Sequence, residues 1–304
     1  MKLLITGATG LVGNALVDFF LEKKHQINYL TTSKQKLNSI EGCQGFYWNP
    51  KKGFIDNKAL LEVDIIINLA GASVSNRWTQ NYKTVILDSR VDSLNTLYNA
   101  IQPSIHQVKH IVSASAIGVY PNSLNKKYSE DNKETGKDFL ANVVTEWENS
   151  ASKFDALGVK VSLIRIGLVL SANGGVLAKL ITPVKYNLGS VLGNGNQMQS
   201  WIHINDLVRV FDFVIDNEIF GVVNGVAPNP VKQKIFIKIL SEVLGSKVIL
   251  PATPKWLLKV VLGEMHDLLF NSQDVISKRL IDKKFQFNYV HLKPTLTHLI
   301  KNKA

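Results

Sequence analysis

Short apolar runs and longer amphipathic segments alternate through the first two thirds of the chain. The apolar runs lack a polar residue at every second position, which is typical of parallel strands buried on both faces of a sheet. The predicted strands cover residues 2–6, 26–31, 45–48, 64–69, 110–115, 160–166 and 222–226. The predicted helices, in which apolar residues recur at helical spacing, cover about residues 11–25, 80–101, 137–157 and 205–217. This regular alternation predicts an α/β fold with a doubly wound parallel sheet.

The alternation changes near Ser171, where a glycine pair and then a polar, glycine-rich stretch follow. Residues 228–304 predict three or more helices around a short strand at 247–250. The longest apolar stretch there, residues 256–270, is interrupted by charged side chains, so it predicts one or two soluble helices and no membrane span. We therefore expect a main domain at residues 1–227, with part of a lid inserted at about 171–200, and a small, mostly helical substrate or lid domain at 228–304.

The first predicted strand ends in a glycine-rich turn that leads directly into the first predicted helix. Glycines in such a turn allow a tight bend, a close approach of phosphate groups and close packing of helix on strand. The helix N-terminus adds free N–H groups and a positive dipole end. In this context the turn predicts a dinucleotide site of the Rossmann type, and the alternative is a tight turn without a ligand. The predicted cofactor-binding residues of the turn are Gly7, Thr9, Gly10, Leu11, Val12 and Gly13.

The end of the second predicted strand indicates which dinucleotide fits. A carboxylate at this place holds the ribose 2′-hydroxyl of NAD, whereas a basic group accepts the 2′-phosphate of NADP. The chain has Thr32, Ser33 and Lys34 here and no acidic residue. A charge-assisted hydrogen bond contributes about 1.5–3 kcal/mol. These residues predict NADP as the cofactor, and the alternative is that Lys34 is only a surface lysine of the following loop.

Later strands deliver further candidates to the carboxyl edge of the sheet, where open α/β sheets bind their ligands. The fourth predicted strand ends in small residues that let a dinucleotide lie against the backbone, so Leu69, Ala70 and Gly71 are predicted to contact the cofactor. The fifth predicted strand ends in two serines. We expect Ser113 to lie beside the cofactor and Ser115 to polarise a carbonyl or hydroxyl group of the substrate.

A formal net charge of +11 raises the question of a nucleic-acid partner. The excess is nearly all lysine, whereas base recognition favours arginine, so we predict no nucleic-acid partner. A positive field would still attract a phosphorylated cofactor or an acidic substrate. The single Cys43 and a first strand that starts at Lys2 predict a cytoplasmic protein without a secretory signal. A homodimer is a further expectation, and no metal site is predicted because Glu264 and His266 lack the partners that zinc needs.

Motifs along nearly the whole chain resemble those of one enzyme superfamily. In order they are TGATGLVG, NLAG, RWT followed by DSR, SASAIG, RIGLVLS, SWIHINDLV, N-x-x-APNPV, and LGEM followed by S-x-x-V-x-x-KRL. The chain resembles the extended and atypical short-chain dehydrogenase/reductases of the NAD-dependent epimerase/dehydratase superfamily, and more narrowly the bacterial and organellar "epimerase family protein" group. The resemblance implies NADP binding, with Arg165 and Gly167 close to the nicotinamide, and a carbonyl or sugar-nucleotide-like substrate.

The catalytic residues of that superfamily are matched only in part. Its members use a serine or threonine, a tyrosine that acts as acid and base, and a lysine four residues after the tyrosine. Ser115 matches the serine, but residues 138–148, DFLANVVTEWE, contain neither tyrosine nor lysine. Loss of a positioned general acid or base costs about 10²–10⁴ in rate. The residues in the corresponding places are Phe139, Leu140, Val143 and Val144.

Tyr120 is the candidate for the missing proton carrier, and its alternative role is aromatic packing in a loop. His203 could serve as a general acid, whereas Asn205 or Asp206 as a helix N-cap explains the same segment structurally. Two functions stay open. The first is an NADP-binding oxidoreductase or epimerase-like enzyme, which the retained serine favours. The second is a catalytically silent NADP-binding sensor or scaffold, which the missing tyrosine and lysine favour.

Overall fold

The structure is a computed structural model that describes residues 1–103 and 106–301. The strands are β1 (Lys2–Thr6), β2 (Gln26–Thr31), β3 (Cys43–Asn49), β4 (Phe54–Ile55), β5 (Ile65–Asn68), β6 (His110–Ala116), β7 (Lys127–Tyr128), β8 (Lys160–Ile166), β9 (Leu168–Leu170), β10 (Met198–Gln199), β11 (Trp201–His203), β12 (Gly221–Gly225), β13 (Val231–Lys232) and β14 (Asp274–Val275). The helices are α1 (Leu11–Glu22), α2 (Gln80–Ile101), α3 (Phe139–Ser152), α4 (Gly175–Lys185), α5 (Ile204–Asp216), α6 (Gln233–Val243), α7 (Lys255–Leu262), α8 (Asp267–Phe270), α9 (Lys278–Asp282) and α10 (Leu292–Lys301).

The central sheet has the strand order β12-β8-β6-β5-β1-β2-β3-β4. Neighbouring strands run parallel from β12 to β3, and β4 pairs antiparallel with β3. The chain moves outward from β1 to β3 and then returns to the other side of β1 with β5. The carboxyl ends of β1 and β5 therefore flank the crevice in which such sheets bind ligands. The predicted Rossmann-type, doubly wound sheet is confirmed.

Helices cover both faces of this sheet, which explains why its strands are apolar on both sides. On one face α1 and α5 pack through Leu16, Phe20 and Phe211. On the other face α2 and α3 pack through Leu94 and Trp147. Burial of a large apolar side chain contributes about 1.5–3 kcal/mol. These contacts fix the strand register, and the register fixes which side chains reach the carboxyl edge.

The C-terminal part of the chain is mostly helical and packs on earlier segments of the chain. A separate apolar cluster joins α4, α6 and α10 around the buried side chains of Trp201, Phe236 and Leu296. Two short β-ladders join the C-terminal part to earlier segments: β13 pairs with β10, and β14 pairs with β7. Within the described ranges, none of the helices combines the length and the apolar character that crossing a bilayer requires.

One predicted strand is wrong, because residues 247–250 form no strand. Ile249 and Leu250 are 66% and 40% exposed, and only Val248 of this segment's apolar side chains packs on the cluster of α4, α6 and α10. The Lys247 N–H donates to the Asn187 side-chain oxygen at 2.7 Å instead of to a neighbouring strand. An apolar segment without a strand beside it cannot satisfy its backbone groups in a ladder, and it stays irregular.

Candidate functional site

The turn between β1 and α1 is folded as a narrow backbone cradle. Gly7 has a φ of +69°, which favours glycine, and the Gly10 N–H donates to the Gly7 carbonyl oxygen at 3.0 Å. A Cβ on Gly13 would lie 2.2 Å from that oxygen, and a Cβ on Gly10 would lie 3.2 Å from it. Gly10 is the N-cap of α1 and has no side chain to cap the N–H groups of Leu11 and Val12. The exposed residues of the turn are Thr9 and Gly10. The cradle therefore has the space and the donors that a diphosphate needs.

The segment after β5 lies directly against this cradle. The Thr6 hydroxyl oxygen accepts from the N–H groups of Leu69 and Ala70, each at 3.0 Å. A Cβ on Gly7 would lie 3.0 Å from the Leu69 carbonyl group, so the two backbones touch. The structure thus brings Leu69 and Ala70 beside the glycine turn, and Gly71 follows them at the surface. Sequence reasoning missed Thr6, whose signal is a polar residue at the end of an apolar strand.

A row of buried polar side chains crosses three neighbouring strands at this edge. The Thr6 hydroxyl donates to Asn68 Oδ1 at 2.8 Å, and Asn68 Nδ2 donates to Ser113 Oγ at 3.2 Å. The Ser113 hydroxyl in turn donates to the Ala114 carbonyl oxygen at 3.0 Å. Thr6, Asn68 and Ser113 are fully buried. The hydroxyl of Ser113 therefore joins β5 to β6 from inside, which is a structural role.

The end of β2 lies beside the cradle because β2 pairs in parallel with β1. Thr32 and Lys34 are exposed here, and Ser33 is half-buried. The Lys34 ammonium lies 5.6 Å from the centre of the Tyr47 ring on the neighbouring strand β3. Residues 31–40 contain no carboxylate. Hydroxyl and ammonium groups that can bind a phosphate thus stand at the place where an acidic residue would select NAD.

Ser115 lies in a hydrogen-bonded cluster with a nearly buried ion pair. Ser115 and Arg165 are register partners on β6 and β8, and Glu148 reaches both from α3. The Ser115 hydroxyl donates to Glu148 Oε1 at 2.5 Å. Arg165 donates from Nε and Nη2 to the two oxygens of Glu148 at 2.8 and 2.7 Å. Burial alone would lower the pKa of Arg165, but the hydrogen bonds and the charge of Glu148 raise it above its ordinary value.

This cluster shows which groups the predicted site residues Arg165 and Ser115 bind, and it adds Glu148 to the site. Two nitrogen atoms of Arg165, predicted to lie near the nicotinamide, are engaged by Glu148 in a structural pair. The Ser115 proton is directed at Glu148, so the lone pairs of its oxygen remain as acceptors. Glu148 was not predicted, because its partners lie 33 and 17 residues away in the sequence. A single carboxylate in an amphipathic helix gives no signal of such a contact.

Tyr120 lies in the core and not in the crevice. Its side chain is 0% exposed, and its ring stacks on that of Tyr128 with 5.1 Å between ring centres. The hydroxyl is 2.9 Å from Asn224 Oδ1 and 3.1 Å from the Ser129 carbonyl oxygen. Burial raises the pKa of Tyr120 above its ordinary value, although the nearby Arg165 opposes the shift. The structure favours aromatic packing over the predicted catalytic role of Tyr120.

The places of the missing tyrosine and lysine are filled by apolar packing. The Phe139 ring meets the Trp78 ring edge-on at 5.3 Å, and Val143 joins the same cluster on α3. Val144 is buried against Tyr120. The partly buried Leu140 also packs on the cluster around Trp78. None of these four side chains of α3 can carry a proton.

Close backbone packing explains why residue 167 is a glycine. A Cβ at this position would lie 2.4 Å from the Ser200 carbonyl oxygen, and the Gly167 N–H donates to the Gly225 carbonyl oxygen at 3.1 Å. Only a glycine lets β8 pass this close to the neighbouring backbone. The cofactor contact predicted for Gly167 therefore stays a prediction.

The helix N-cap in the SWIHINDLV segment is His203, and the prediction of Asn205 or Asp206 is wrong. His203 Nδ1 accepts from the Asn205 N–H at 3.0 Å, and its ring stacks on Tyr289 at 3.6 Å. Burial lowers the pKa of His203 to about 4, so the ring is neutral at physiological pH. Asp206 is fully buried and accepts from the backbone N–H groups of Asn288 and Tyr289.

In the described part of the chain, no group of three or more His, Cys, Asp or Glu side chains could hold a metal ion.

Comparison with known proteins agrees with this geometry. The family described as "NAD dependent epimerase/dehydratase family" matches residues 3–225. The chain belongs to this family. A domain of unknown function (DUF1731) matches residues 253–299, in the helical C-terminal part. Members of the family bind NAD(P), and the cradle between β1 and α1 has the form that such a cofactor requires.

Relatives of the chain carry the same family name. Epimerase family protein SA0724 of Staphylococcus aureus is 37% identical over 299 residues, which are 98% of each chain. A crystal structure of human epimerase family protein SDR39U1 with NADPH has a TM-score of 0.86 at 26% identity, over 99% of this chain and 100% of that chain. A nucleoside-diphosphate sugar epimerase from Corynebacterium glutamicum has a TM-score of 0.79 at 28% identity, over 99% of this chain and 58% of that chain. The predicted family resemblance is confirmed.

Proposed function

We propose that this family member binds NADP and is an oxidoreductase or epimerase-like enzyme for an unidentified small molecule of the carbonyl or sugar-nucleotide class. The observation that carries the proposal is the acid-free end of β2 beside the glycine cradle. The N–H groups at the start of α1 would hold the diphosphate. Thr32, Ser33 and Lys34 would face the 2′-phosphate. The NADPH bound by human SDR39U1 supports this choice of cofactor.

The chain's own contribution to chemistry centres on Ser115. A bound nicotinamide would supply a hydride acceptor or donor, and the protein must orient the substrate. The Ser115 oxygen, held by Glu148, accepts a hydrogen bond from a substrate hydroxyl. Because the four corresponding side chains of α3 are apolar and Tyr120 is buried, the substrate proton passes to or from water in this proposal.

Calorimetric titration of the purified protein with NADPH and with NADH tests the cofactor assignment. We expect tighter binding of NADPH, and Lys34→Ala should weaken NADPH by about ten- to a hundred-fold while changing NADH less, because it removes a charge-assisted hydrogen bond. Lys36→Ala, which removes an exposed lysine of the same turn, is the matched control. Equal losses for NADPH and NADH would remove Lys34 from the 2′-phosphate site.

A second variant tests the cradle itself. Gly10→Val should abolish binding of both dinucleotides, because the side chain fills the space of the phosphates. In the protein the new Cβ meets only the Gly7 carbonyl oxygen at 3.2 Å, so circular dichroism should show a folded chain. Unchanged affinity in a folded Gly10→Val protein would refute the cofactor site.

A catalytically silent NADP sensor or scaffold is the second candidate. It is favoured by the apolar cluster around Phe139 and Val143 in the places of the superfamily's tyrosine and lysine. Turnover of NADPH with a panel of carbonyl and sugar-nucleotide compounds separates the two functions. Tight NADPH binding without turnover of any compound would favour the sensor, and turnover that Ser115→Ala suppresses would favour the enzyme.

A further inference from the structure

An apolar surface is exposed around α7, in the helical C-terminal part of the chain. Seven large apolar residues of the described chain are at least 60% exposed, and six of them lie in two segments, 186–188 and 249–261. These six residues form the α7 surface: Tyr186, Leu188, Ile249, Trp256, Val260 and Val261. Single exposed apolar residues are common, but a group of them in one place marks a site of interaction.

Hydrogen bonds hold the two segments of the α7 surface side by side. The Lys247 N–H donates to Asn187 Oδ1 at 2.7 Å, and the hydroxyl oxygens of Ser190 and Thr253 are 2.6 Å apart. The Thr253 N–H also donates to the Val191 carbonyl oxygen at 2.8 Å. Because α7 begins two residues after Thr253, the exposed apolar residues belong to one continuous part of the protein surface.

The helix α7 contacts the protein through one side and leaves its apolar side exposed. The Lys255 ammonium lies 3.5 Å from Asp267 and 5.6 Å from the centre of the Phe270 ring, so this side chain is directed at α8. Trp256 and Val260, one helical turn apart, are 68% and 70% exposed. The apolar side of a surface helix normally faces the core. In α7 it faces solvent, which indicates a partner outside the chain.

The charges around the α7 surface are positive. Residues 156–205 and 243–263, which contain both of its segments, have no aspartate or glutamate. Lys185, Lys247 and Lys259 lie in these ranges, are exposed, and form no ion pair with any of the described residues. An anionic partner therefore complements the charge of this surface.

This combination fits an anionic lipid surface better than a second protein. Two copies of the chain joined through the same surface would place lysine against lysine, without a carboxylate between them. A protein interface has about one hydrogen bond per 100–200 Å². The polar side chains of residues 249–261 are Thr253, Lys255 and Lys259, and the first two are already bonded within the chain. An apolar helix side with tryptophan and nearby lysines is typical of segments that lie on membranes.

We propose that the α7 surface binds an anionic lipid bilayer, with Trp256 and Val260 inserted at the boundary of the acyl chains and Lys259 at the phosphate groups. α7 lies along this boundary and does not cross the bilayer, because its eight residues are too few for a span. The inference is independent of the dinucleotide, since the α7 surface contains no residue of the glycine cradle.

Flotation of the purified full chain with lipid vesicles tests the proposal. We expect strong binding to vesicles of phosphatidylcholine and phosphatidylserine, and little binding to phosphatidylcholine alone. The double variant Trp256→Ser, Val260→Ser should bind the anionic vesicles about ten- to a hundred-fold more weakly, because two apolar side chains lose their burial in lipid. Leu61→Ser is the matched control, because Leu61 is 61% exposed and lies outside the α7 surface.

The contribution of the lysines is tested with the same vesicles. Lys259→Gln should weaken binding to the anionic vesicles by about five-fold, and added salt should weaken the binding of the wild-type protein. Lys52→Gln, which removes an exposed lysine of another part of the chain, should change little. Equal binding of the wild-type protein to both kinds of vesicle would overturn the choice of an anionic lipid surface.

Two further results would contradict the proposal. The first is the absence of wild-type flotation with anionic vesicles, or full flotation of the double variant. The second is a dimer without lipid, seen by sedimentation equilibrium, that the double variant converts to a monomer, because it would assign the α7 surface to a second copy. Circular dichroism should show folded variants, since the replaced side chains are exposed.

Discussion

Glu148→Gln removes the negative charge from the cluster that joins α3 to β6 and β8. The side chains of Glu148 and Arg165 are only 13% and 10% exposed, so water replaces little of the lost interaction. Breaking a buried ion pair costs about 3–5 kcal/mol, because the remaining charge is left without compensation. The glutamine oxygen can still accept from Arg165, which places the expected loss of unfolding free energy near the lower end, at about 3 kcal/mol.

Urea unfolding followed by circular dichroism at pH 7 measures this loss. Glu134→Gln is the control, because it removes one partner of an exposed pair with Lys126 and should cost less than about 1 kcal/mol. The double variant Glu148→Leu, Arg165→Met should regain much of the loss, since neither charge is left unpaired. A loss below about 1 kcal/mol for Glu148→Gln, or no recovery in the double variant, would refute the view that the charges stabilise each other.

Two further predictions concern the fold. Gly13→Ala should lower the melting temperature, because the new Cβ would lie 2.2 Å from the Gly7 carbonyl oxygen. Such overpacking costs about 1–3 kcal/mol. An unchanged melting temperature would show that the cradle relaxes. Burial lowers the pKa values of His110 and His203 to about 4, whereas the pKa of histidine in the unfolded chain is about 6.5. Unfolding between these pH values therefore takes up protons. The free energy of unfolding should fall as the pH is lowered from 6.5 to 4, by up to about 3 kcal/mol for each ring. Urea unfolding across this range should show a shallower pH dependence for His203→Asn than for the wild-type protein, and equal slopes would contradict the assignment.

The sequence predicts those parts of the fold that rest on local pattern. The bounds of β1, β2, α2 and β8 agree with the predicted ranges, because these elements are buried runs or long amphipathic segments. The predicted helix at 137–157 is divided at Ser152, where α3 gives way to a 3₁₀ turn. Such a division depends on tertiary contacts, and helical spacing does not reveal it.

The site could be predicted only as far as it depends on consecutive residues. The glycine turn and the acid-free end of β2 can be recognised in the sequence, because the residues that form each of them lie within a few positions of one another. The role of Glu148 depends on Ser115 and Arg165, which the sheet brings together on neighbouring strands. Histidine is also not among the favoured N-cap residues, so the cap on α5 had no sequence signal.

In the proposed enzyme, Ser115 determines which substrate group this edge can hold. Its single proton is directed at Glu148 Oε1, so its oxygen presents lone pairs and suits a substrate hydroxyl better than a carbonyl. To donate to a carbonyl, Ser115 would have to give up a hydrogen bond to a charged group, which contributes about 1.5–3 kcal/mol. Ser115→Ala should therefore suppress turnover of an alcohol substrate and leave NADPH affinity near the wild-type value. Full turnover in that variant would place the chemistry at another part of the crevice.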